Sequence, residues 1–133
     1  MKNILVAMVL FFALCAVTHG QATPSHAATA SPGGMNVKNL TISIVGKLGP
    51  ILHLSSSQKP GVTDAVNKFL TDKSKIISLR QSNPVSYSNQ QKSLFQTLQA
   101  KMGNILSSAQ LTRFLNLRPE TNDPSNVFSA IFY

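Results

Sequence analysis

The chain has 133 residues, with 12 Lys and Arg against four Asp and Glu and a formal charge of +8. Carboxylate-pair catalysis has few residues to draw on, and the small size bounds the molecule to one modest core. The charge favours anionic partners, but the basic residues are scattered singly and form no run of the kind that grips nucleic acid.

At the N-terminus, MKNILVAMVLFFALCAVTHGQ places Lys2 before an apolar run from Ile4 to Val17 and then small residues. This is the pattern of a secretory signal peptide, assigned here to 1–20. The run is too short for a membrane span, and no later segment is apolar enough to be one. Cys15 is preceded by Leu14 rather than a small residue, which argues against lipidation and leaves the processed chain without cysteine. Removing Lys2 with the leader leaves 11 basic residues against the same four acids. Residues 21–36 are rich in Ala, Thr, Ser, Pro and Gly and read as a flexible leader. The expected location is therefore the periplasm or the extracellular space, with a single helical domain over 37–133.

From 37 to 54, Val37, Leu40, Ile44, Leu48 and Ile51 recur at three- and four-residue steps, the spacing of one helical face. Pro50 is expected to kink or end that helix. Residues 58–80 predict a second amphipathic helix, with Val62, Val66, Phe69, Lys73 and Ile76 in one row and Asp64, Lys68 and Asp72 on another stripe. The polar stretch QSNPVSYSN at 81–89 reads as a break. A third helix is expected from about Tyr87 to Asn104, burying Leu94, Phe95, Leu98 and Met102. A short fourth helix carries Leu111, Phe114, Leu115 and Leu117 and is stopped by Pro119. Asp123-Pro124 looks like a further helix start, leading into a face of Val127, Phe128, Ile131 and Phe132. The predicted fold class is all-α, a small bundle or hairpin cradle of about four helices with a short C-terminal helix.

One pentapeptide is written almost twice, LSSSQ at 54–58 and LSSAQ at 106–110. In each, a serine is followed three residues later by glutamine, the arrangement of a capping box, and a leucine stands just outside as a staple. Leu54, Ser55, Gln58 and Leu106, Ser107, Gln110 are thus expected to open two helices. The first copy has a difficulty: with Ser55 as the cap, Pro60 would be the fifth helical residue, whereas Ser57 as the cap makes it the third, where proline fits.

Two L-[ST]-x-x-Q pentapeptides in a small, basic, exported helical chain resemble the LTxxQ-motif family, the Spy/CpxP-like periplasmic proteins. The resemblance covers about 54–117, with serine in place of the usual threonine. It implies a helical, often dimeric cradle that holds unfolded clients, hence a chaperone-like role and a possible homodimer. The chain departs from the family in its few acids, its many Ser and Asn, and the prolines at 50, 60 and 84. The ending NLRPETNDPSNVFSAIFY is also similar to those of small secreted Bacteroidetes proteins of unassigned function.

Catalytic constellations fare poorly. SSQK at 56–59 matches Ser-x-x-Lys, but the Ser-Asp-Asn and Lys-Thr-Gly elements that accompany it in penicillin-recognising enzymes are missing. His26 and His53 have no partner at metal-ligand spacing, so neither a metal nor another cofactor is expected. The expectation is a non-enzymatic protein that binds a protein or an anionic envelope component, or serves as a structural or assembly module of the envelope, and that does not bind nucleic acid. Lys68, Lys73, Arg80, Lys101 and Arg113 are the candidate partner-binding residues.

Overall fold

The computed structural model describes residues 34–133, and those residues form helices and turns only. The signal-peptide assignment, Cys15, His26 and most of the 21–36 leader lie outside the described residues. Helix α1 spans Val37–Leu52, α2 Gln58–Ile76, α3 Leu79–Ser82, α4 Pro84–Ile105, α5 Ser108–Leu115 and α6 Ser129–Phe132. The all-α expectation holds, with four longer helices and a short C-terminal one.

Helix α1 begins where Asn36 accepts the Asn39 amide on its side chain, 3.1 Å away. Pro50 lies inside its last turn, and the helix closes just beyond it at His53, which adopts φ 51°. There the Leu54 amide reaches back to the Gly49 carbonyl at 3.0 Å and the His53 amide to Pro50 at 3.4 Å. This is a Schellman ending, normally served by glycine, with Leu54 turned inward as its apolar partner. The left-handed residue reverses the chain, so that the first pentapeptide starts at the helix terminus.

Helix α2 is the spine of the bundle, packed on α1 along one side and α4 along another. Its buried residues, Val62, Ala65, Val66, Phe69 and Leu70, follow the expected row. At Gly61 an added Cβ would stand 3.1 Å from the Ile105 Cδ1. The missing side chain therefore lets the first turn of α2 come close to the end of α4.

Several boundaries differ from expectation. The second helix, expected to run to 80, ends at Ile76 with Leu79–Ser82 as a separate helical turn, and the fourth ends at Leu115, short of Leu117. The predicted break at 81–89 is much narrower, because Asn83 caps α4 through the Ser86 amide at 3.0 Å and Pro84 takes the first helical position. A proline loses nothing there, since that amide has no intrahelical acceptor. Asp123-Pro124 opens a turn rather than a helix: the Asp123 carboxylate accepts the Ser125 amide at 2.8 Å, and helix α6 begins only at Ser129. A short aspartate side chain stabilises an Asx turn as readily as a cap.

The core joins Ile44, Leu48 and Leu52 of α1, the α2 row, Leu98 and Met102 of α4, and Phe114 of α5. The C-terminal segment seals it with Phe128 and Ile131. Phe132 lies 5.4 Å from Phe95 and 5.8 Å from Phe114 between ring centroids, distances at which tilted rings attract.

Candidate functional site

Both pentapeptides lie where a helix ends and another begins, and the fold brings the two corners into contact. Ser107 accepts the Gln110 amide at 3.3 Å and Gln110 Oε1 accepts the Ser107 amide at 2.9 Å, a complete capping box. Ser55 and Gln58 make the same pair of bonds, at 3.2 and 3.1 Å. The regular α-helix nevertheless starts at Gln58, with Ser57 at the cap position and Pro60 third. The first copy thus keeps the box and delays the helix, as its proline requires.

The glutamines do more than cap. Gln58 Nε2 donates to Gln110 Oε1 at 2.9 Å, and Gln110 Nε2 donates to Gln58 Oε1 at 3.2 Å. Each amide also crosses to the helix that ends in front of the other copy: Gln58 Nε2 donates to the Ile105 carbonyl at 3.0 Å, Gln110 Nε2 to Leu52 at 2.9 Å. Helix ends leave carbonyls unpaired, and here two are satisfied in trans. An amide side chain has two acceptor sites and two donor hydrogens, and both glutamines use all four. Leu54 and Leu106 are buried beneath the pair. The box was legible from spacing, whereas the reciprocal pairing across 52 residues was not.

A second polar feature lies at the other end of α2. Lys73 is only 2% exposed. Its ammonium donates to the Ala130 carbonyl at 2.8 Å and stands 5.9 Å from the centroid of the Phe69 ring. Burial, with the Arg80 charge adding to it, pulls its pKa down from 10.5 to about 8. Nearby, the Tyr87 hydroxyl donates to the Tyr133 carbonyl at 3.2 Å, and Gln91 Nε2 donates to that of Ile131 at 3.2 Å. Burial pushes the Tyr87 phenol above its ordinary value of 10.0. Side chains of α2 and α4 thus hold the carbonyls of the last residues, which a four-residue helix leaves free. Lys73, Arg80 and Tyr87 also line a hollow of about 350 Å³ between α2 and the C-terminal segment.

The five basic candidates are not gathered in one place. Lys68 and Lys101 share the seam between α2 and α4. Lys68 is engaged there by Asp72 at 2.9 Å, and Asp72 also takes Lys75 at 2.8 Å. Lys73 and Arg80 border the C-terminal hollow, and Arg113 is exposed on α5. Lys73 is therefore an interior residue, not a surface cation. Its membership of the apolar row in α2 was the sequence signal for this.

No family model matches the chain, and neither a curated protein nor a solved structure matches it. Fold and site define a small all-α bundle with two glutamine-linked helix corners.

Proposed function

We propose that this protein is an exported, non-enzymatic helical module that docks through its basic, polar surface on an anionic component of the cell envelope or on the acidic face of a folded protein. The observation that carries this reading is the disposition of its apolar side chains. Among the described residues the core is closed on itself, and the large hydrophobic residues left exposed are Ile42, Ile51 and Val85. Ile42 and Ile51 are nine residues apart, about 180° around α1 at 3.6 residues per turn, so they form no common patch. Holding an unfolded chain calls for a contiguous apolar surface. The exposed cations, in contrast, include Lys38, Lys47, Lys59, Lys92, Lys101 and Arg113.

The test is cosedimentation with vesicles containing anionic lipid, compared with neutral vesicles over a salt series. Retention that needs the anionic lipid and fades with salt supports the proposal; equal retention on both kinds, or on neither, together with no salt-sensitive capture by acidic proteins, refutes it. The second reading, holding of unfolded clients, is favoured by the paired pentapeptides. It requires suppression of aggregation of a denatured test protein near equimolar ratio, and no suppression at large molar excess dismisses it.

A further inference from the structure

We propose that the hollow between α2 and the C-terminal segment is a binding site for a small amphiphilic anion, a carboxylate head on a short apolar body, with Lys73 and Arg80 holding the head. The inference is independent of the surface-docking reading above. At about 350 Å³, the hollow lies at the small end of the ~300–1,000 Å³ typical of ligand pockets. Leu40, Ile77 and Val127 supply an apolar wall, and among the described residues that line it the charged side chains are Lys73 and Arg80.

The charge balance points to the ligand's sign. A buried ammonium ordinarily has a carboxylate beside it. Lys73 has three donor hydrogens and one hydrogen-bond acceptor, the Ala130 carbonyl. No acid side chain of the described chain is among the residues that line the hollow, although Asp123 lies between two that are, Asn122 and Pro124. Asp72 is turned toward Lys68 and Lys75, and Asp64 borders a different depression, near Gly61 and Ile105. Asp123 is held by the Ser125 amide and hydroxyl, and Glu120 is exposed and off the lining. An incoming carboxylate would provide the countercharge that the fold withholds. Arg80, at the rim, offers the planar donor pair that suits a carboxylate, and the tail would lie along the Leu40, Ile77 and Val127 wall.

The experiment is a titration of the full chain, followed by amide NMR shifts and calorimetry, with octanoate, with octan-1-ol as its neutral counterpart and with acetate as the head alone. Octanoate is expected to bind saturably and to shift the amides of Leu40, Ile77 and Ala130, with the other two at least about tenfold weaker. Arg80→Gln, an exposed change that leaves the core untouched, should weaken octanoate about tenfold, and Lys73→Met should abolish the saturable phase. Should Lys73→Met not fold, Arg80→Gln still decides the matter. Octan-1-ol binding as tightly as octanoate, undiminished octanoate binding by Arg80→Gln, or no saturable octanoate binding up to its solubility limit would each overturn the proposal.

Discussion

At one end of the bundle the half-buried amides of Gln58 and Gln110 are fully matched, by each other and by neighbouring backbone groups, while at the other Lys73 buries a full charge against a single carbonyl. The glutamine end is a closed network in which every donor meets an acceptor and each copy completes the other's corner. The lysine end is open-handed, with donors to spare and a hollow beside them. Burial of a matched neutral network adds rigidity at little cost, whereas burial of an unmatched charge lowers stability and leaves a group prepared to interact. The same helix, α2, carries both, with Gln58 and Lys73 separated by 15 residues, roughly 22 Å at 1.5 Å per residue.

The largest expected effect lies at the lysine end and appears as a pH dependence. The folded-state pKa of Lys73, about 8, lies below the 10.5 of the unfolded chain. Between those values the unfolded state binds the additional proton, so stability rises with pH. Below about pH 8 both states are protonated and the folded protein bears the whole cost of the buried ammonium. The gain on passing upward through the window is at most about 3 kcal/mol, the order set by 1.36 kcal/mol per unit. Tyr87 opposes it at the top: its raised phenol pKa makes stability fall once the unfolded tyrosine ionises above 10.0. Urea midpoints should therefore hold level up to about pH 8, climb from there toward about pH 10 and then turn down, and Lys73→Met should remove the climb. A flat parent profile would mean that Lys73 is no less solvated than a surface lysine, and the contrast between the two ends would collapse.

Next in size is the glutamine pair. Gln110→Ala removes the donors to Leu52 and Gln58 and the acceptor for the Ser107 amide. Since each unsatisfied group costs about 1–3 kcal/mol when buried and this site is partly wet, a loss of about 2 kcal/mol is expected. Gln58→Ala should cost somewhat less, because α2 packs along both α1 and α4. The two changes should couple by about 1 kcal/mol in a double-mutant cycle, because they break one network. Additivity within a few tenths would show that the corners are held independently. Gln110→Glu, which keeps the shape but aims a carboxylate at the Leu52 carbonyl, should be at least as damaging as alanine.

A smaller effect separates the two copies. Ser107→Ala and Ser55→Ala each remove a side-chain acceptor from the third amide of the turn, at about 1 kcal/mol apiece. Pro60→Ala should allow α2 to extend back toward Ser55, seen as added protection of the amides before Gln58 in hydrogen exchange. Its effect on stability should stay within about 1 kcal/mol, because the rigidity lost from the unfolded chain opposes the turn gained.

How much of this was legible follows the range of each interaction. Caps and faces depend on residues three or four apart, so the Ser107/Gln110 box and the α2 row could be read directly, whereas the fourth helix ends at Leu115, before the stop that Pro119 signals. The start of α4 was missed because Asn83-Pro84 signals a turn and a capped helix start with the same residues, and the packing behind decides between them. The turn at Asp123 failed for the mirror-image reason. The glutamine pairing and the burial of Lys73 depend on contacts 52 and 57 residues apart, beyond any local pattern. Even so, a lysine in line with Val66 and Phe69 was a visible irregularity, and taking it as a surface cation gave charge priority over position.

The smallest expected effect is the control that makes the comparison one of burial rather than of charge. Asp72 holds Lys68 and Lys75 at 2.9 and 2.8 Å, and the hydrogen bonds from Lys75 and then Lys68 draw its pKa below 3.8. Both lysines are more than half exposed, at 57% and 67%. Water and salt screen such pairs, so Asp72→Asn should change stability by no more than about 0.5 kcal/mol, and less at high salt. The lowered pKa confines even that contribution to pH above its folded value, and it fades as acid titrates the carboxylate through that value. Thermal unfolding of Asp72→Asn beside Lys73→Met at one salt concentration makes the measurement. One lysine in an apolar row outweighing two in ion pairs would place the energetic significance of a basic residue in its surroundings. An effect of Asp72→Asn as large as the Lys73 climb would assign that significance to the surface charges instead.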